Sequence, residues 1–259
     1  MAYKALLAEV NKLVEKEVYD AAPVWHDDTI TKDDIKWIEE RVTDTKFDVL
    51  RLSEDMYSRV GKDVSLISKK CKYGRVIKLQ LGLIDRTPWE LWARILRLFG
   101  LKNVRIIFFA HPNKRILPSS IKEQLGPDHI NGGYCNPCNP NTIIIYRDED
   151  ATRVLIHELL HAACTDDRSK DIEDIEAETE AWAELFLAQL VGGPNGWRKQ
   201  RIWMSLQNSQ LSKWNIKRGS YIWRYTFGKE AIWDRWGFPQ LGNASFNYPK
   251  NSLKLGAYI

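Results

Sequence analysis

Apolar residues recur along this chain with two different periods. Leu6, Leu7, Val10, Leu13, Val14 and Val18 return every three or four positions across residues 3–19, which predicts an amphipathic helix. Thr31-Lys32-Asp33-Asp34 reads as the start of a second helix, with Ile35, Ile38 and Val42 on its buried face. Residues 75–84 alternate instead, like a half-buried strand. Thr87-Pro88-Trp89-Glu90 then offers an N-cap, a proline at the first helical position and a glutamate three residues past the cap. That helix is expected to run to Phe99 and stop at Gly100. Val104-Arg105-Ile106-Ile107-Phe108-Phe109 is the next strand, so a strand–helix–strand lobe occupies this part of the chain.

Residues 111–142 are rich in turn formers, among them Pro112, Pro118, Gly126-Pro127, Gly132-Gly133 and Asn136-Pro137. Thr142 to Tyr146 is a short β-branched strand that leads through Arg147-Asp148-Glu149-Asp150 into an apolar helix, with Asp148 or Asp150 as its expected cap. Placed at a sheet edge, this strand could add an extended peptide. Residues 172–191 predict a second buried helix, and 202–211 and 220–227 shorter helical pieces; from Asn243 onward the chain looks irregular. The pattern predicts an α+β protein in three parts: an N-terminal helical segment (1–70), a core (71–191) and a tryptophan-rich C-terminal part (192–259).

The helix after residue 150 carries the chemistry. His157-Glu158-Leu159-Leu160-His161 lies between Val154-Leu155-Ile156 and Ala162-Ala163, so the five residues fall inside a helix. Positions i and i+4 share a face, and both imidazoles can reach one ion. Glu158 projects about 100° round from His157, beside that ion rather than on it. Zinc takes neutral imidazole, keeps a position for water in catalytic sites, and leaves a neighbouring carboxylate to take a proton from that water. A helix that merely packed would have to bury two imidazoles and a carboxylate without partners, which is costly.

Two histidines need a third protein ligand. Asp167, six residues after His161, suits a site in which the chain turns sharply at a glycine, but Cys164 stands at that position. The following helix offers Glu173, Glu176, Glu178, Glu180 and Glu184 among apolar residues on all sides, and buried carboxylates call for a cation.

His157-Glu158-x-x-His161, followed after eighteen residues by Glu180-Ala181-Trp182-Ala183-Glu184, resembles the gluzincin metallopeptidases. The resemblance implies a zincin-like fold, in which a small mixed sheet packs on the active-site helix and a glutamate helix follows. It implies Zn2+ on His157, His161 and Glu180, Glu158 as general base, and Glu184 as a carboxylate orienting a ligand histidine. The frame shifted by two, with Glu178 as ligand, is the competing assignment. Residues 111–191 also resemble zincin-like proteins of large double-stranded DNA viruses, through Pro112 to Pro118, Asn131-Gly132-Gly133, Ile145-Tyr146-Arg147 and Thr179-Glu180-Ala181-Trp182-Ala183. That likeness implies a viral peptidase acting on a protein or peptide substrate, alongside other particle or capsid proteins. A scaffold protein of a particle, with a zincin fold and little activity, is the reading of another class. An intact Glu158 argues against it, because a structural zinc needs no base and is closed by a fourth protein ligand.

Composition narrows the rest. The 259 residues are 44% hydrophobic and 28% charged, and 38 basic against 34 acidic residues give +4, too balanced to expect a nucleic-acid partner. No apolar run approaches the ~20 residues of a membrane span. The first ten residues become charged too early for a signal peptide, and four cysteines are not a secreted disulfide framework, so an intracellular place is expected, in a host cytoplasm or a virion. Six of the eleven tryptophans follow residue 190 and predict a packed or partner surface. Cys135-Asn136-Pro137-Cys138 fits a zinc knuckle, a redox pair or a plain turn, and Cys164 is expected to pack. With no histidine after residue 191, Tyr221, Arg224 and Tyr225 are the candidate oxyanion donors.

Overall fold

A computed structural model describes residues 2–242, 246 and 248–258, so part of the end expected to be irregular from Asn243 lies outside the described residues. In chain order the elements begin with α1 (Ala2–Tyr19), β1 (His26–Asp27), α2 (Lys32–Val42), α3 (Leu52–Ser58), β2 (Val64–Lys70) and β3 (Gly74–Leu81). They continue with α4 (Trp89–Phe99), β4 (Val104–His111), α5 (Pro127–Ile130), β5 (Gly133–Tyr134), β6 (Ile143–Arg147) and α6 (Ala151–Ala162). Then come α7 (Ile172–Gly192), α8 (Gly196–Leu211) and α9 (Lys229–Arg235). Contacts cluster into two units. One holds Met1–Val18, Arg115–Ile130 and Asp166–Ile259, the other Tyr19–Lys114 and Asn131–Thr165. The units interleave along the chain, whereas the sequence divides most simply at residues 70 and 191.

The second unit is built on a six-stranded sheet in the order β1-β2-β3-β4-β6-β5. β3, β4 and β6 are parallel and the other pairings antiparallel, so the mixed α and β character expected from the sequence holds. The central strands are apolar on both faces because each face is covered. On one, Ile77, Leu79, Ile107, Phe109, Ile144 and Tyr146 pack with Ile38 and Val42 of α2 and Leu52 and Met56 of α3. On the other, Phe108 meets Trp92 of α4 at 5.2 Å between ring centroids, and the Trp92 indole N–H donates to Thr152 Oγ1 of α6 at 2.9 Å. α6 is thereby seated under the sheet.

Local signals were realised unevenly. Thr31 and Asp34 form a reciprocal capping box at the start of α2, and Gly100 ends α4 with φ 61°. Thr87 does not cap α4; Pro88 stands at that position, because the Thr87 hydroxyl is engaged by Lys78 (Nζ to Oγ1 2.7 Å). Asp150 sits before α6 with φ 61° and makes no side-chain cap. The expectation that the 142–146 strand could lie at the sheet edge is corrected. β6 runs between β4 and β5, and its outer side is taken by Gly133 and Tyr134, opposite Ile145 and Ile144. Glycine makes this possible: a Cβ on residue 133 would lie 2.6 Å from both Ile144 O and Val154 Cγ1 of α6.

Lys78 on β3 is 2% exposed and donates to Asp85 Oδ1 (2.6 Å), Thr87 Oγ1 (2.7 Å) and Gln80 Oε1 (3.1 Å). Burial alone would raise the Asp85 carboxyl, but its donors, Lys78 foremost, outweigh that and hold it at about 2 against an ordinary 3.8. A carboxylate held down contributes stability that is complete above the unfolded value and lost as pH falls through the folded one. Wild type should therefore exceed Asp85→Asn by a constant margin above about pH 5, and the margin should shrink between about pH 4 and 2. Urea unfolding across this range measures it; a margin flat from pH 5 to 2 would refute the assignment.

The first unit is helical among the described residues. Leu7, Val10 and Val14 of α1 pack with Ala177, Ala181 and Leu185 of α7, Trp197 and Met204 of α8, and Ile232 and Trp233 of α9. Trp197, Trp203 and Trp233 are buried, so half of the late tryptophans supply core rather than surface. Among the described residues no helix is long and apolar enough to cross a membrane.

Candidate metal centre

Every residue of α6 is buried, which explains why its sequence is apolar on all sides of the motif. His157 and His161, one turn apart, bring their Nε2 atoms to 3.1 Å, with the rings edge-to-face at 4.7 Å. Two imidazole nitrogens bound to a tetrahedral zinc at about 2.0–2.1 Å stand roughly 3.3 Å apart. The observed separation is within a few tenths of that, so the pair fits such an ion with little adjustment. Glu158, 5% exposed, lies between them in sequence and on a neighbouring side of the helix.

The end of α6 is fastened to the loop after β5. Cys138 is disulfide-bonded to Cys164 with Cα atoms 4.7 Å apart, and the backbone N–H groups of both donate to the His161 carbonyl at 3.0 and 3.1 Å. The Cys135 thiol donates to the Glu158 carbonyl at 3.4 Å. Cys164 was expected to pack and instead cross-links. It lies past the helix end in a left-handed conformation (φ 58°), which turns its side chain away from the core.

On α7, Glu176, Glu180 and Glu184 follow one another by single turns and share a face. Glu180 and Glu184 are 0% and 2% exposed. Their cation is Lys229 of α9, itself 0% exposed, which donates to Glu184 Oε1 at 2.6 Å and stands 3.6 Å from Glu180 Oε1. Glu176 accepts from the Tyr225 hydroxyl at 3.0 Å. Burial first, and the nearby Glu176 charge second, push the Tyr225 phenol well above its usual range and keep it a donor. Arg224 donates to Glu173 at 2.9 Å, and Tyr221 lies against Tyr225. Arg224 and Tyr225, expected as oxyanion donors, thus serve α7 carboxylates. Glu178 pairs with Lys170 at 2.5 Å, and Asp167 accepts from Ser169 Oγ at 2.6 Å, both as part of the surface.

Potential metal ligands among the described residues are His157 and His161 on α6 and, on α7, Glu176, Glu180 and Glu184. The resemblance to gluzincins implies Glu180, one turn after Glu176 on the same face. Comparison with family models, curated proteins and solved structures finds no match.

Proposed function

We propose that the chain is a zinc-dependent hydrolase of peptide bonds. One observation carries this reading: two histidine Nε2 atoms 3.1 Å apart on a wholly buried helix that also holds Glu158. Buried imidazoles at this separation beside a carboxylate support a shared cation. His157, His161 and Glu176 are the proposed protein ligands, Glu180 being drawn towards Lys229. When bound, zinc supplies a Lewis acid that brings the acidity of a water towards ~7 and polarises the scissile carbonyl. Glu158 takes the proton of the attacking water on a carboxylate oxygen and returns it to the departing amine nitrogen. Tyr225 holds Glu176 in orientation through its 3.0 Å hydrogen bond. A zincin-like arrangement is supported by the motif helix under a mixed sheet and the carboxylate-bearing helix that follows. The substrate class this implies is protein or peptide.

Zinc content per chain tests the ligand set, measured on wild type, Glu176→Ala and Glu180→Ala. Wild type should carry about one zinc, Glu176→Ala should bind it at least about tenfold more weakly, and Glu180→Ala should stay near wild type. The reverse order would return the role to Glu180. No zinc in wild type would end the proposal, and zinc with no peptidase activity would favour the scaffold reading.

A further inference from the structure

We propose that Cys135, Cys138 and Cys164 form a thiol–disulfide exchange centre, in which the Cys138–Cys164 bond isomerises to Cys135–Cys138 and untethers the end of α6. Cys138 and Cys164 are exposed, so their bond is open to attack, and Cys135, three residues before Cys138, is half-buried and keeps its thiol. The C-x-x-C spacing is that of exchange-active pairs, and here it overlaps a turn closed by the Asn139 N–H on the Asn136 carbonyl at 3.1 Å. In the exchange, the Cys135 thiolate attacks Cys138 Sγ. The bond to Cys164 breaks, and Cys164 leaves as a thiolate that takes up the proton Cys135 gave. One disulfide and one thiol are present before and after, so no oxidant or reductant is required.

The location gives the exchange a consequence. The Cys138 and Cys164 N–H groups and the Cys135 thiol all terminate on carbonyls of the H-E-x-x-H residues, His161 and Glu158. Moving the disulfide off Cys164 releases the segment three residues past His161. This inference does not depend on zinc being bound.

The experiment is disulfide mapping on the full-length protein, kept free of oxygen at pH 8, quenched in acid, labelled with N-ethylmaleimide and read by mass spectrometry. Wild type should contain both isomers, with the label on Cys135 in one and on Cys164 in the other. Cys135→Ser should hold only Cys138–Cys164, and Cys164→Ser, oxidised with glutathione disulfide, only Cys135–Cys138. Backbone amides in the last turn of α6 should exchange at least about tenfold faster in Cys164→Ser than in Cys135→Ser. A wild type with a single isomer, or a Cys164→Ser protein in which Cys135 and Cys138 never join, would overturn the exchange; equal amide exchange would overturn its effect on the helix. Mapping reads bonds rather than metal or turnover, so its failure and a failure of the zinc reading are separate results.

Discussion

Glu158→Gln is expected to lower peptide-bond hydrolysis by about 10²–10⁴-fold with zinc content unchanged. Glutamine keeps the shape of the side chain within a fully buried helix and removes its charge and its ability to take a proton. The side chain lies about 100° round the helix from His157, so its loss as a base should leave the histidine pair intact. Its backbone carbonyl, which accepts from Cys135, is unaffected. The split between activity and metal is the informative part. A fall in kcat with zinc retained is the signature of proton transfer, because a ligand would take the zinc away with it. Steady-state rates on a fluorogenic peptide, with zinc measured on the same samples, give both numbers. Activity within about threefold of wild type would remove Glu158 from the reaction, and parallel loss of zinc would make it a ligand instead.

The motif helix was legible because its signal is local: two histidines at i and i+4, apolar neighbours on both sides, and a period that a buried helix alone satisfies. Thr31-x-x-Asp34 was legible for the same reason, since a capping box is closed within four residues. Thr87 offered the same kind of signal and was captured by Lys78, nine residues back on β3, whose buried charge needed acceptors more than the helix needed a cap. The position of β6 depended on where a two-residue strand, Gly133–Tyr134, would pair, and so short a strand leaves little periodicity to read. Cys138–Cys164 joins residues 26 apart, and connectivity among four cysteines does not follow from spacing. The α7 face was legible as a stripe of carboxylates in an apolar helix. Its partner was not, because Lys229 reads as an ordinary lysine until α9 packs it beside Glu184.

Lys229→Met should destabilise the protein by about 3–5 kcal/mol, through stranded charge rather than lost packing. Methionine nearly matches lysine in length and volume, so the apolar stem is kept. What disappears is the ammonium that serves Glu184 Oε1 (2.6 Å), the Leu255 carbonyl (2.8 Å) and, at 3.6 Å, Glu180 Oε1. Two carboxylates that are 0% and 2% exposed then lose that ammonium. Breaking one side of a buried ion pair is far costlier than neutralising both sides, so partner substitutions give the test its direction. Lys229→Met combined with Glu184→Gln should regain more than half of the loss, and adding Glu180→Gln should regain more. Urea unfolding of the series with zinc chelated reads these energies. A Lys229→Met protein within about 1 kcal/mol of wild type would mean the lysine carries no buried charge balance. The same proteins titrated with zinc address the ligand question from the other side. If Glu180 holds the metal, zinc replaces the missing cation and stabilises Lys229→Met more than wild type; if Glu176 does, the two gain similar increments.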